Sequence, residues 1–273
     1  MTTINEKKID TNIVAFDFFD TIVHRDCDPE TILFQWAKEI SLYLNFSVTP
    51  SSIYTARKKV EYDTKKQGLE EVPYDNLLRE LFKELNRLAD SPIIATIEEF
   101  LTFAKELETK IEIEHIYLDN DTVEFVRQAY ENGKLLYIIS DFYTDSSLLN
   151  QVLIHFGIRK YFKDIFVSSE YNARKSTGKL YEVFLSRLNV APESVTMIGD
   201  NYKSDVINPM NLGLASYFKE YKHVTGSIVD KKELKNLYRK TLYFNAEIAP
   251  FNGFIADILY FISKLHVQLV KDG

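Results

Sequence analysis

Five short apolar runs constrain the fold of this chain more than any other feature of its sequence. Each has the length of a strand, and most are continuous in apolar residues. Continuous apolar strands are typical of a parallel sheet whose two faces are covered by helices. The runs are Ile13-Val14-Ala15-Phe16, Leu135-Leu136-Tyr137-Ile138-Ile139, Ile165-Phe166-Val167, Val195-Thr196-Met197-Ile198 and Leu214-Ala215-Ser216-Tyr217. The sequence therefore predicts an α/β fold, with helices near 146–156 and 180–188 linking the later strands by right-handed crossovers.

A long stretch without strand patterns separates the first run from the second. Residues 28–115 contain only segments with the 3.6-residue periodicity of amphipathic helices. Asp28-Pro29 and Thr49-Pro50 are typical helix starts, because a capping side chain is followed by proline in the first turn. Two more helices are expected after Pro73 and after Ser91-Pro92. Four such helices with short links predict a small bundle.

This pattern predicts two parts of the chain that differ in structure. We expect residues 1–25 and 116–273 to form the α/β core and residues 26–115 to form a helical domain inserted after the first strand. The last segment, 232–273, lies beyond the core motifs, and it either braces the core or forms a dimer contact. The oligomeric state does not follow from the sequence.

Composition argues against several classes of function. The 273 residues carry a net charge of −7, and an acidic chain without a basic stretch is not expected to bind nucleic acid. The single cysteine, Cys27, excludes an intramolecular disulfide and suits a reducing compartment. No signal peptide is visible at the start, and Asp257 and Lys264 interrupt the most apolar late stretch. We therefore expect a cytoplasmic protein that does not span a membrane.

Polar residues collect at the ends of the predicted strands. Asp17 ends the first strand, Ser140 the second and Asp200 the fourth, while Lys175 precedes the fourth strand and Asp205 follows it. In open α/β sheets, ligands bind beyond the carboxyl ends of the strands, where these side chains meet. Crowded carboxylates repel unless a cation joins them, and magnesium prefers oxygen ligands. One carboxylate could then attack phosphorus, since aspartate can act as a covalent nucleophile.

These motifs resemble those of the haloacid dehalogenase (HAD) superfamily. The matching pieces, in the family's order, are Ile13 to Asp17 with Thr21, Ile138-Ile139-Ser140, Lys175, and Ile198-Gly199-Asp200 with Asp205. The resemblance covers roughly residues 12–218. It implies a Rossmann-like core with strand order 5-4-1-2-3 and a helical cap inserted after the first strand. It also implies a Mg²⁺-dependent phosphatase that acts on a small phosphorylated metabolite through an aspartyl-phosphate.

The resemblance assigns a role to each motif residue. Asp17 is the nucleophile, paired with Lys175, and Ser140 binds the phosphoryl group. The implied magnesium site comprises Asp17, the backbone carbonyl of Phe19, Asp200 and Asp205. The substrate-binding set comprises Thr21, Arg25, Ser140, Asp141 and Lys175, in which Arg25 is a candidate for a substrate anion near the cap hinge.

One position departs from the phosphatase pattern. Most phosphatases of the family carry a general acid and base two residues after the nucleophile, where this chain has Phe19. Phenylalanine cannot transfer a proton, so Asp20 and Asp141 are the candidates to replace it. Family dehalogenases also have an aromatic residue there, which leaves a metal-independent 2-haloacid dehalogenase as an alternative. A catalytically degenerate phosphate-binding domain is a second alternative.

A subset of the family shares this Asp-x-Phe-Asp-Thr form together with a second motif like Ser140-Asp141-Phe142-Tyr143. Its association with surface-glycan synthesis implies a sugar-linked phosphate as substrate.

Two sets of charged residues in the helical segments are expected to have a structural role. Arg57 and Glu61 are four residues apart and share a helix face, so we expect an exposed ion pair, with cap residues that face the substrate as the alternative. Glu108, Glu112 and His115 are spaced along the end of the fourth helix, but a single histidine is a weak indication of a metal site there.

Overall fold

The computed structural model describes residues 9–66 and 68–220, and a five-stranded parallel sheet organises them. Its order is β7-β6-β1-β4-β5, so that the five strands, counted along the chain, lie in the order 5-4-1-2-3. The strands are β1 (Ile13–Phe16), β4 (Leu135–Ser140), β5 (Phe162–Val167), β6 (Val195–Gly199) and β7 (Ala215–Phe218). The predicted α/β fold is confirmed.

The central strand β1 fixes the position of the residues that follow it. It pairs in parallel with β4 on one side and β6 on the other, with Phe16 beside Ile138 and Ile198. Its side chains alternate between two hydrophobic clusters, because successive strand residues point to opposite faces. One face packs on α5 (Asn120–Glu131) and α6 (Ser146–His155), and the other packs on α8 (Lys179–Leu188).

Four long helices lie between β1 and β4 and have a hydrophobic cluster of their own, centred on the fully buried Trp36. Their bounds are α1 (Pro29–Tyr43), α2 (Pro50–Lys65), α3 (Tyr74–Leu88) and α4 (Ile97–His115). Asp28 caps α1 and Thr49 caps α2, as their side chains predict. The division at residues 25 and 115 into two domains stays a prediction.

Two short strands that the sequence analysis did not predict join the helical insertion to the sheet. β2 (Val23–Arg25) and β3 (Ile116–Leu118) pair antiparallel, with His24 opposite Tyr117. They lie where the chain enters the helical insertion and where it leaves it. Three-residue strands are too short to show periodicity in a sequence.

The fourth insertion helix begins later than expected. We predicted that it would follow Ser91-Pro92 directly, but α4 starts at Ile97. The Thr96 side chain accepts from the Glu99 amide, while the Glu99 side chain accepts from the Thr96 amide. This reciprocal capping box satisfies two amides that have no partner within the helix, and it therefore sets the start.

A stripe of buried charge runs along α4. Glu108, Glu112 and His115 are all buried, and each pairs with a residue of a different segment. Arg57 donates to both carboxylate oxygens of Glu108, at 2.9 and 2.8 Å, and so does not form the exposed pair with Glu61 that we predicted. Arg57 is nearly fully buried, where only a paired charge is stable.

Some expectations fall outside what the structure describes. The C-terminal segment 232–273 lies beyond the described residues. Within residues 9–66 and 68–220, every helix is too short or too polar to cross a lipid bilayer.

Two short α-helices lie in the core: α7 (Ser168–Tyr171) after β5 and α9 (Asn208–Asn211) before β7.

The Arg57–Glu108 pair gives a stability prediction. Arg57→Met should lower the free energy of unfolding by about 3–5 kcal/mol, because it leaves the Glu108 carboxylate buried without its cation. Urea unfolding would measure the change. The matched control is Arg79→Met, which removes the exposed pair with Glu98 and should cost less than about 1 kcal/mol. Equal losses in the two variants would contradict the buried pairing.

Candidate active site

The carboxyl edge of the sheet holds one buried amine between two carboxylates. Lys175 Nζ donates to Asp17 Oδ1 at 2.7 Å and to Asp205 Oδ1 at 2.8 Å. Asp17 directly follows β1, and its backbone amide donates to the carbonyl of Ile198 in β6. Because the strands are parallel, Ser140 at the end of β4 lies at the same edge.

The turn that carries Lys175 is fixed from two sides. Asp141 Oδ1 accepts from the Lys175 amide at 2.7 Å, so its carboxylate orients the turn. Asn208 Nδ2 donates to the carbonyls of Lys175 and Ser176, at 2.8 and 2.9 Å. The predicted contact of Asp141 with substrate stays a prediction, and its observed partners give it a positioning role.

Asp205 is completely buried in a π-helical turn, Tyr202–Ile207. Its Oδ2 accepts from the Asn201 amide at 3.1 Å, while the Tyr181 hydroxyl donates to its Oδ1 at 3.5 Å. Gly199 allows the Asp205 carboxylate to lie close to the backbone of β6, because a Cβ at position 199 would stand 2.3 Å from Asp205 Oδ2. The glycine that ends β6 is therefore required for the carboxylate to reach Lys175.

Three carboxylates crowd at this edge. Ligand oxygens of Asp17, Asp200 and Asp205 lie within 4.8 Å of one another, and Thr21 Oγ1 donates to Asp200 Oδ1 at 3.5 Å. Burial raises the pKa of Asp17 to about 8, with the charges of Asp205 and Asp200 adding to the shift and Lys175 opposing it. Burial also raises the pKa of Asp200. An all-oxygen set with excess negative charge fits a magnesium ion.

Phe19 and Arg25 form a stacked pair beside this edge. The Arg25 guanidinium lies 3.6 Å from the centre of the Phe19 ring, and Phe142 packs on that ring from 4.7 Å. Arg25 Nε and Nη2 each donate to Glu112 at 2.9 Å. The prediction that Arg25 meets a substrate anion stays a prediction, and the observed partner of its Nε and Nη2 groups is Glu112.

Asp20 is the exposed carboxylate of the first loop. It has φ of +57°, in the left-handed region, and its Oδ1 lies 3.3 Å from His24 Nδ1. His24 Nε2 lies 2.9 Å from Asp119 Oδ2, and Lys219 Nζ pairs with the same Asp119 oxygen at 2.6 Å. Hydrogen bonds to Asp119 and Asp20 raise the pKa of His24 above its ordinary value, although burial alone would lower it.

A loop of the helical insertion contacts the segment that carries Lys175. Glu70 Oε2 accepts from the Arg174 amide at 3.1 Å and from Thr177 Oγ1 at 2.9 Å. Glu71, which is buried, pairs with Arg174 at 2.8 Å. Sequence reasoning missed these contacts, because two adjacent glutamates before a proline resemble an ordinary polar link.

Comparison with known proteins identifies the family of this chain. Residues 11–207 match the family of haloacid dehalogenase-like hydrolases. The chain belongs to this family. The resemblance drawn from the motifs is confirmed, and the protein is a HAD-type hydrolase.

Individual relatives of this HAD hydrolase are distant. Glyceraldehyde 3-phosphate phosphatase of Methanothermobacter thermautotrophicus is 28% identical over 64 residues, which are 23% of this chain and 28% of the phosphatase. The chain thus spans less than a third of that relative's length.

A solved structure with a TM-score above 0.5 shares the fold of the HAD hydrolase. A 2-haloacid dehalogenase from Pseudomonas syringae pv. Tomato DC3000 has a TM-score of 0.54 at 16% identity, covering 84% of this chain and 99% of that chain. The magnesium-bound HAD-hydrolase YfnB of Bacillus subtilis has a TM-score of 0.48 at 17% identity, covering 84% of this chain and 99% of its own.

We expect repulsion among the carboxylates of Asp17, Asp200 and Asp205 to lower the free energy of unfolding of this HAD hydrolase. A buried Asp17 whose pKa is raised from 3.8 stabilises the fold only while protonated, and this contribution is lost as the pH rises toward 8. In EDTA at pH 8 or above, Asp17→Asn should therefore raise the free energy of unfolding, by about 0.5–2 kcal/mol.

Urea unfolding as a function of pH measures this effect. The advantage of Asp17→Asn should shrink as the pH falls from 8 toward 4. The control Asp63→Asn changes an exposed carboxylate on α2 and should shift stability by less than about 0.5 kcal/mol at every pH. A variant less stable than wild type at pH 8 without metal would contradict the crowding argument.

Proposed function

We propose that the protein is a magnesium-dependent phosphatase that hydrolyses a small phosphorylated metabolite through an aspartyl-phosphate. The observation that carries this proposal is the contact of Lys175 with both Asp17 and Asp205, beside Asp200, at the carboxyl edge of the sheet. A nucleophilic carboxylate, a fixed cation and an oxygen-ligand set in one place are the groups that phosphoryl transfer requires. Membership of the HAD hydrolases supports the reaction class.

In this proposal, Asp17 attacks phosphorus, and the bond from phosphorus to the leaving oxygen breaks. Lys175 holds Asp17 through Oδ1 and offsets charge on the transferring group, while Ser140 donates to a phosphoryl oxygen. Asp17, the Phe19 carbonyl and Asp200, supported by Asp205, would hold the magnesium ion, which neutralises charge on the phosphoryl oxygens when bound. Water then cleaves the acyl-phosphate bond on the phosphorus side and regenerates Asp17.

Asp20 is the proposed proton donor to the leaving group. It is exposed, it acts electrostatically on Asp200, and it contacts His24. Asp119, which pairs with Lys219, also contacts His24 Nε2 and orients the buried histidine, so that Asp20 has a fixed partner. Phe19 cannot supply this proton, because its side chain has no ionisable group, and its ring packs against Arg25 and Phe142.

A cavity with a mixed polar and apolar lining is the candidate site for the leaving group, such as a sugar. Its volume is about 220 Å³, and it lies between α1, α2 and Tyr143. Its charged lining residues are Glu30, Arg57, Lys58, Glu61 and Glu71. Its apolar lining residues are Pro29, Leu33, Val72 and Leu77. The charged groups suit hydrogen bonds with hydroxyl groups, and the apolar groups suit contact with the face of a sugar ring.

Phosphate release from a panel of phosphorylated metabolites tests the proposal. We expect release with Mg²⁺, loss of release in EDTA, and no detectable release by Asp17→Asn, because the nucleophile is gone. Asp63→Asn should keep full activity. Release that survives in Asp17→Asn would contradict the proposed nucleophile.

The packed aromatic residue at Phe19 keeps the dehalogenase alternative open, and the same protein preparation can test it. Halide release from 2-haloacids in EDTA, without phosphate release from any substrate, would favour the dehalogenase. Phosphate binding, without turnover of any phosphorylated metabolite or 2-haloacid, would favour a degenerate binding domain.

The role of Asp20 as proton donor is tested by comparing substrates whose leaving groups differ in their need for a proton. Asp20→Asn should lower kcat by about 100- to 10,000-fold on an alkyl phosphate, because its alkoxide needs a proton. On an acyl phosphate, whose leaving group is stable without a proton, the loss should be much smaller. Asp141→Asn, whose carboxylate orients the Lys175 turn, should slow both substrates alike. Equal losses for Asp20→Asn on both substrates would contradict its role as acid.

A further inference from the structure

A second group of metal-ligand side chains lies away from the carboxyl edge of the sheet. Ligand atoms of Asp26, Cys27 and His115 lie within 4.8 Å of one another. Asp26 and Cys27 follow β2, where the chain enters the helical insertion, and His115 ends α4, where the chain leaves it. The Asp26 amide donates to the His115 carbonyl at 3.0 Å, so the backbone already holds the two segments together.

The histidine of this group is oriented as a metal ligand would be. His115 is buried, its Nδ1 lies 2.8 Å from Asp26 Oδ1, and its Nε2 lies 3.1 Å from Gln35 Oε1. A metal-binding histidine typically donates its second ring N–H to a fixed oxygen acceptor, and Gln35 occupies that position. In the metal-free protein the 2.8 Å contact of Nδ1 with Asp26 Oδ1 is a hydrogen bond. A metal ion would replace the proton of that bond, while Nε2–H donates to Gln35 Oε1.

The surroundings favour a cation. The carboxylates of Asp26, Asp28 and Glu112 all act electrostatically on the Cys27 thiol, against the single guanidinium of Arg25. Arg25 is itself bound to Glu112. A divalent ion at this point would therefore offset unbalanced negative charge.

We propose that Asp26, Cys27 and His115 bind a zinc ion that joins the two chain segments connecting the helical insertion to the α/β core. One thiolate, one imidazole and one carboxylate suit zinc, which takes sulfur, nitrogen and oxygen ligands in a tetrahedral site. Water fills the fourth position. The site is chemically distinct from the carboxyl edge of the sheet, whose oxygen ligands suit magnesium.

This zinc ion would restrain the junction between the two parts. β2 and β3 are only three residues each, so few backbone hydrogen bonds connect the segments. A metal bridge adds a bond between the residues that follow β2 and the residue that precedes β3. The inference does not depend on the proposed phosphatase activity.

Cobalt absorption tests the site in the full chain. Co²⁺ replaces Zn²⁺ in tetrahedral sites, and a cobalt–thiolate bond has a near-ultraviolet charge-transfer band. The chain has a single cysteine, so any such band reports on Cys27. We expect one equivalent of Co²⁺ to produce the band in protein reduced without thiol reagents, and Zn²⁺ to abolish it, since zinc binds more tightly than cobalt.

Three variants separate the possible outcomes. Cys27→Ser should lose the band, Asp17→Asn should keep it, and Gln35→Leu should weaken Co²⁺ binding by about 10- to 100-fold. Circular dichroism of each variant without metal confirms folding, and His115→Gln replaces Cys27→Ser if that variant does not fold. A wild-type protein with a reduced thiol that shows no band with excess Co²⁺ would overturn the proposal.

Discussion

The contact of the Lys175 ammonium with Asp17 and Asp205 is the interaction on which the rest of the active site depends. The carboxylates of buried Asp17 and Asp205 and of half-buried Asp200 repel one another, and this single amine lies 2.7 Å from Asp17 and 2.8 Å from Asp205. Several local features of the core serve this contact. Gly199 lacks the Cβ that would displace Asp205, and Asp141 and Asn208 fix the turn that presents the amine.

Buried ion pairs connect the helical insertion to the core in a similar way. Along α4, Glu112 binds Arg25 of β2, and Arg25 packs on Phe19 in the loop after Asp17. Glu70 and Glu71 contact the other side of the active site, next to Lys175. A displacement of the helices would therefore reach both the Asp17 loop and the Lys175 turn.

The apolar runs predicted the parallel sheet and the common edge that holds Asp17, Ser140, Lys175 and Asp200, because parallel strands bring their carboxyl ends together. The strand order came from the family resemblance. Helix starts such as Asp28-Pro29 were also predictable, since capping depends on adjacent residues. The partners of buried charges were not. Arg57 pairs with Glu108, 51 residues away, and not with Glu61 on its own helix, because burial and tertiary packing select the partner. The ion pair of Arg25 with Glu112, 87 residues away, was likewise not predictable from the sequence.

The central claim is that Asp17 forms a covalent bond with phosphorus. The most direct measurement is mass spectrometry of the enzyme after acid quenching during turnover of its fastest phosphorylated substrate with Mg²⁺. The account predicts one added phosphoryl group, mapped to Asp17 in the peptide that follows β1, and none in EDTA. A phosphoryl group on another residue, or turnover without any covalent adduct on the enzyme, would contradict it.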